Sequence, residues 1–328
     1  MLRLPTFRYH RPRTAAEAVR ILAESGPKAR FVAGGTDLYP NMKRRHQSAE
    51  HLISLARVEE LRGIDGDGPA GTCTIGAMTT LREIERDPRI GAWYPAFVQA
   101  VASVSSPLLR NMGTIGGNLL LDTRCNYYNQ TEEWRASIDF CMKERGPICW
   151  VAPGSPRCYA VQSSDTVPLL CAIGAEVTLL SPGGERRVAV DDLYRDDGIA
   201  YLTKRPDELL TRVHLPASGA WSAAYHKLRR RGSIDFPVLG VGAWVARDGE
   251  RIADVRVRIG GVGSMPIHAT ETEAMLRGQP VTEELVRAAA ELSFKPARTM
   301  DNTDSEVPYR KKMAPIFVRR ALSECLGL

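Results

Sequence analysis

A chain of 328 residues, 44% hydrophobic and 25% charged, is long enough for two or three domains and a sizeable buried core. No apolar run reaches the ~18 residues of a membrane helix, and the opening MLRLPTFRYHRPRT lacks the apolar stretch of a secretory signal, so a soluble, cytoplasmic protein is expected. The net charge of +6 comes in short runs, Lys43-Arg44-Arg45, Arg229-Arg230-Arg231 and Arg310-Lys311-Lys312; without a nucleic-acid reader motif these point to solvated faces, cofactor phosphates or acidic partner surfaces, and neither nucleic acid nor membrane is expected as a partner.

In chain order, Thr14 and Glu17 form a capping-box pattern that opens a helix over TAAEAVRILAES, closed by Gly26-Pro27. A short apolar strand in ARFV then runs into Ala33-Gly34-Gly35-Thr36-Asp37. HLISLARV (51–58) and TCTIGAM (72–78) read as strands, Thr80 and Glu83 repeat the capping pattern, and AWYPAFVQAVASV (92–104) reads as an apolar helix. A second glycine turn, Thr114-Ile115-Gly116-Gly117-Asn118, sits between apolar segments. Residues 122–163 follow, rich in polar, aromatic and turn residues. VTLLS, RRVAV and ELLTRVHL are further strand candidates.

Past residue 218 the texture changes. WSAAYHKL, LGVGAWVAR and IADVRVRIGGV read as strands, with Asp248-Gly249 as a hairpin turn. Three helical patterns end the chain, the last expected to break at Pro315. The fold class is therefore α+β, with one boundary near 218 and a softer one near 55–60. GDGPAG (66–71) matches G-x-G-x-x-G formally, but a strand follows it where a dinucleotide site needs a helix.

Two features carry chemistry. Glycine lets backbone N–H groups approach a ligand with no Cβ in the way, and consecutive N–H groups form an anion nest suited to a pyrophosphate. Thr36, Thr114 and Asn118 add side-chain donors. The second feature is cysteine: four of seven, Cys125, Cys141, Cys149 and Cys158, fall in one turn-rich stretch at spacings of 16, 8 and 9. An odd total without a secretory signal argues against a disulfide framework. Four thiolates suit a [4Fe-4S] cluster or a tetrahedral zinc, and four unrelated buried thiols is the remaining reading. Cys73, Cys171 and Cys325 lie in apolar segments and read as core.

AGGTDL and GTIGGN, about 80 residues apart, with SSD at 163–165 and LLCAIGAEV after it, resemble the FAD-binding medium subunits of the xanthine oxidase and carbon monoxide dehydrogenase family. The resemblance spans essentially the whole chain. It implies two FAD-binding lobes, 1–57 and 58–217, and a C-terminal α+β domain over 218–328. The glycine turns, Ala33 to Asp37 and Thr114 to Asn118, would clasp the pyrophosphate, with Asp165, Leu169, Leu170 and Lys227 near the flavin. No catalytic residue is assigned, because the substrate chemistry would lie in a partner.

Most members cross the interval after the second turn without such cysteines. The insert here, at about 122–163, is similar to that of 4-hydroxybenzoyl-CoA reductase beta subunits, in which the loop carries a [4Fe-4S] cluster. That likeness implies Cys125, Cys141, Cys149 and Cys158 as cluster ligands. It also implies ferredoxin as electron donor, a small [2Fe-2S] subunit and a large molybdenum subunit as partners, and a dimer of heterotrimers. A flavin subunit passing electrons outward to NAD or another acceptor is the alternative, and a zinc-stabilised scaffold a third.

Overall fold

The structure, a computed structural model, describes residues 3–328. Three sheets organise it. Strands β1 (Arg8–His10), β2 (Ala29–Val32) and β3 (His51–Ser54) form a small parallel sheet in the order β1-β3-β2. The helix Ala15–Ser25 makes the crossover from β1 to β2, as parallel pairing demands. Thr14 caps that helix by accepting from the Glu17 amide, but the Glu17 carboxylate bonds the Arg13 amide, so only half the box closes.

A five-stranded antiparallel sheet follows, built from β4 (Ile64–Gly66), β5 (Cys73–Gly76), β6 (Glu176–Ser181), β7 (Gly184–Ala189) and β8 (Leu209–Leu215) in the order β4-β5-β8-β6-β7. Because β4 pairs antiparallel with β5, GDGPAG is the turn of a hairpin. Thr80 and Glu83 make the full reciprocal capping box. The helix expected over 92–104 is two helices, Pro88–Trp93 and Pro95–Ala102. Tyr94 leaves helical geometry at φ −136° and ψ 59°, and Pro95 starts the second helix at the position where its missing N–H costs nothing. The strand expected over 51–58 stops at Ser54.

The third sheet contains β9 (Trp221–Leu228), β10 (Leu239–Asp248), β11 (Arg251–Gly260) and β12 (Ile267–His268), ordered β12-β11-β10-β9. Gly249, at φ +57°, supplies the turn between β10 and β11. The helix Val307–Leu326 covers this sheet and runs through Pro315 without stopping, with Pro315 buried. Packing of the helix against β9 and β10 holds a residue that lacks one ladder hydrogen bond.

A helix that periodicity missed, Thr166–Ile173, is buried along its whole length. It seats on the third sheet because two strand positions lack a side chain. A Cβ on Gly242 would come 2.6 Å from the Leu169 nitrogen, and one on Gly260 the same distance from the Pro168 ring. This helix fixes the C-terminal sheet against the second lobe, and Asp165 stands at its N-terminal end. No helix among the described residues is long and apolar enough to cross a membrane.

Candidate functional site

A cavity of about 1270 Å³ opens where the lobes and the C-terminal sheet meet. That exceeds the ~300–1,000 Å³ of pockets for drug-sized ligands and gives room for a dinucleotide. Every residue of the first turn, Ala33 to Asp37, lines it, as do Thr114, Gly116, Gly117, Asn118 and Asp165. The two glycine turns, distant in sequence, touch. A Cβ on Gly34 would collide with the Met112 carbonyl oxygen, just before the second turn.

The two turns are not equivalent. In the first, no backbone carbonyl among the described residues accepts from the consecutive amides of Gly34, Gly35, Thr36, Asp37 and Leu38. With Gly35 at φ +71°, this is the nest expected for a phosphate. In the second, the amides are already used. Ile115 donates to Thr79, Gly116 to Ala77, and Asn118 to the Thr114 carbonyl, while Gly117 donates to the Thr114 hydroxyl oxygen at 3.1 Å. The expectation of a second nest is therefore corrected. Instead, the Ser164 and Thr166 hydroxyls both donate to Asn118 Oδ1 at 2.6 Å. That leaves the Asn118 Nδ2 group as the donor for a ligand.

Ser163 Oγ is buried without a partner on the cavity wall, and Arg124 Nε is likewise buried and unpaired. The free amides, the side-chain-free cradle and these orphaned polar atoms fit an elongated, polyanionic dinucleotide such as FAD.

Asp165 and Lys227 form a buried pair. Lys227 Nζ lies 3.0 Å from Asp165 Oδ1 and donates to the carbonyls of Ser103 (2.9 Å) and Asp235 (2.7 Å), while the Tyr225 hydroxyl donates to Asp165 Oδ1 at 2.9 Å. Asp165 reaches the cavity; Lys227 stands behind it and braces it. Leu169, Leu170 and Ile115 are fully buried in the main core and do not line the cavity. The expectation of a leucine wall beside a flavin is thus not what the structure displays: Leu169 backs onto Gly242.

Burial pushes the Asp165 carboxyl from 3.8 up to about 6, against the pull of Lys227 and Tyr225. An acid with a raised native pKa adds stability that is fully present below its unfolded value and is lost as pH rises through about 6. Denaturant unfolding of the wild type and Asp165→Asn, compared from pH 4 to pH 7, should show the wild type losing stability relative to the variant as pH rises. A difference independent of pH would contradict this placement.

The cysteine insert is a closed excursion. Its base is an antiparallel bridge in which Arg124 N–H donates to the Val161 carbonyl at 2.8 Å and Val161 N–H returns to Arg124 at 2.7 Å. Inside, Cys125, Cys141 and Cys158 pack with Tyr128 and Ala160 in one small buried cluster. Cys149 is also buried, and a Met142–Ile148 backbone bond of 2.7 Å draws its segment beside that of Cys141. All seven cysteines are free thiols.

The Ala160 amide donates to Cys158 Sγ at 3.4 Å, and the Glu144 amide donates to the Cys141 carbonyl at 3.0 Å. Burial pushes the Cys125 thiol up to about 12 and Cys158 up to about 11, and raises Cys141. These thiols stay neutral unless a cation ionises them. No group of three or more His, Cys, Asp or Glu side chains among the described residues closes around a single metal ion. An amide-to-sulfur bond like that of Ala160 tunes an iron–sulfur thiolate, and the four cysteines could hold a multi-iron cluster, whose ligating sulfurs stand further apart than those around one ion.

Three residues joining the insert to the cavity escaped the sequence reading. Tyr128 belongs to the cysteine cluster and also lines the large cavity, so one ring is a wall of both. Arg135 is fully buried, pairs with Glu144 and donates to the Arg44 carbonyl at 2.8 Å, docking the insert on the first lobe. Arg124 ion-pairs with Asp37 and lies over the Phe236 ring at 4.2 Å. The one signal for Arg124 was its place beside Cys125.

Comparison with known proteins gives a consistent result. The family described as FAD binding domain in molybdopterin dehydrogenase matches residues 5–218, and the CO dehydrogenase flavoprotein C-terminal domain matches 223–325. The carbon monoxide dehydrogenase medium chain of Hydrogenophaga pseudoflava is 28% identical over 97% of this chain and 96% of its own length. The aldehyde oxidoreductase FAD-binding subunit PaoB of Escherichia coli is 30% identical over 89% of this chain and 94% of its own. Among solved structures, carbon monoxide dehydrogenase from Hydrogenophaga pseudoflava superposes with a TM-score of 0.79 at 27% identity, covering 99% of both chains.

Proposed function

We propose a function from one premise: the chain belongs to the family of FAD-binding subunits of the xanthine oxidase-type molybdenum hydroxylases. It is a flavoprotein component of an oxidoreductase complex. The finer reading is that it serves a reductive enzyme of the 4-hydroxybenzoyl-CoA reductase type, which removes a phenolic hydroxyl to give benzoyl-CoA. On this reading the chain stands between a ferredoxin donor and partner subunits, a small one with [2Fe-2S] clusters and a large one with molybdenum, in a dimer of heterotrimers.

The observation that carries the reading is the closed four-cysteine loop sharing Tyr128 with the flavin cavity. FAD supplies two-electron and one-electron exchange, and a [4Fe-4S] cluster supplies one-electron exchange at low potential. The protein's part is placement. The free amides of the first turn hold the pyrophosphate, Asn118 and Ser163 donate to the cofactor, and Lys227 keeps Asp165 fixed beside it. Cys125, Cys141, Cys149 and Cys158 would hold the cluster, with the Ala160 amide favouring the ionised form of Cys158.

Direction of flow is testable on the assembled complex under anaerobic conditions. Chemically reduced ferredoxin should bleach the flavin absorbance rapidly, and NAD should draw no electrons from the reduced protein. Rapid NAD reduction with no response to ferredoxin would instead identify an outward-flowing dehydrogenase subunit.

A further inference from the structure

We propose that Arg124 couples the two cofactor sites, so that a filled cysteine loop tightens FAD binding. The inference rests on the reading of both sites given above and adds a positioning residue that links them. Arg124 carries the base of the loop through its backbone bridge to Val161, while its guanidinium pairs with Asp37 at the end of the first turn. It borders the large cavity and also a smaller one of about 240 Å³ that touches Cys125. Its Nε–H is buried with no acceptor.

A second strand of contacts runs beside it. Lys143, two residues past Cys141, donates to Asp122 Oδ1 (2.8 Å), Thr123 Oγ1 (2.7 Å) and the Gly198 carbonyl (2.8 Å). Gly198 abuts the fourth cysteine: a Cβ there would come 2.7 Å from Cys158 Sγ. Asp37, Asp122, Arg124 and Lys143 thus form a balanced set of two acids and two cations reaching from the turn to three of the four cysteines. Moving either cation strands a partly buried carboxylate, so turn and loop hold or shift together.

Cys149 is the exception. Its nearby backbone bonds, Met142 to Ile148 and Ala152 to Cys149, stay inside the loop. Replacing it therefore empties the loop without cutting this network directly.

Linkage is reciprocal, so the coupling is readable from FAD affinity alone. Flavin fluorescence titration of the full-length chain gives Kd for the wild type, Cys149→Ser, Arg124→Gln and the double variant. Cys149→Ser should weaken FAD binding about tenfold in the wild-type background and leave Kd unchanged in the Arg124→Gln background. Lys143→Met, in place of Arg124→Gln, should also abolish the dependence, which guards against one variant that does not fold. An equal effect of Cys149→Ser in every background, or none in any, overturns the coupling while leaving the two sites intact. A wild-type chain that holds no iron or no flavin overturns the underlying reading and this proposal with it.

Discussion

Gly34→Ala is expected to cost at least about 100-fold in FAD affinity, about 3 kcal/mol. The reason is a contact between backbones. The side at which alanine would place its methyl is occupied by the carbonyl group of Met112, with the Gly113 nitrogen 3.2 Å away. No rotamer change relieves this, because the obstacle is main chain. The two turns must separate, and the amides of Gly34 to Leu38 then no longer converge on one phosphate. Gly35 is constrained differently. It sits at φ +71°, where a side chain costs ~1–2 kcal/mol. Gly91→Ala is the control: a Cβ there meets nothing within 4 Å, and the residue lies in the helix Pro88–Trp93. That variant should gain up to ~1 kcal/mol of helix propensity and bind FAD as the wild type does. Equal FAD affinity in Gly34→Ala and the wild type would show that the close approach of the turns is not what holds the cofactor.

Cys149→Ser is expected to remove the cluster and leave the flavin. Serine offers a hard oxygen in place of the soft thiolate that iron–sulfur clusters require. The loop itself stays docked, because its anchors are elsewhere. Arg135 pairs with Glu144 and reaches Arg44, the Tyr128 hydroxyl donates to the His46 carbonyl at 2.7 Å, and the His46 ring meets the Gln130 carbonyl at 2.8 Å. Purified variant protein should therefore lose the iron–sulfur absorbance and most of its iron, yet still take up one FAD per chain at saturation. Loss of both cofactors from a still-folded chain would show that the loop is part of the flavin site itself.

The legible part of this molecule was the part written in local chemistry. Thr80 with Glu83 announces a helix start and makes it, and Asp248-Gly249 announces a hairpin. The two glycine turns lie on the wall of the large cavity, and the clustered cysteines lie in the buried loop beside it. What stayed hidden depends on partners far along the chain. Nothing in GTIGGN reveals that Ala77 and Thr79 carbonyls already occupy its amides. The helix Thr166–Ile173 has no polar face, so it lacks the periodicity that marks a helix at a surface; its backbone at Leu169 seats on Gly242, and its leucines are buried in the core. Arg124 pairs with Asp37 across 87 positions of sequence. Pro315 reads as a helix break until the sheet it packs on is known.

Metal and sulfide analysis of anaerobically purified wild-type protein tests whether this chain holds the proposed iron–sulfur cluster beside its FAD. About four iron and about four acid-labile sulfide per chain are expected, together with one FAD. Zinc without sulfide, bound by the same cysteines, would contradict that expectation and leave a flavoprotein with a structural metal loop.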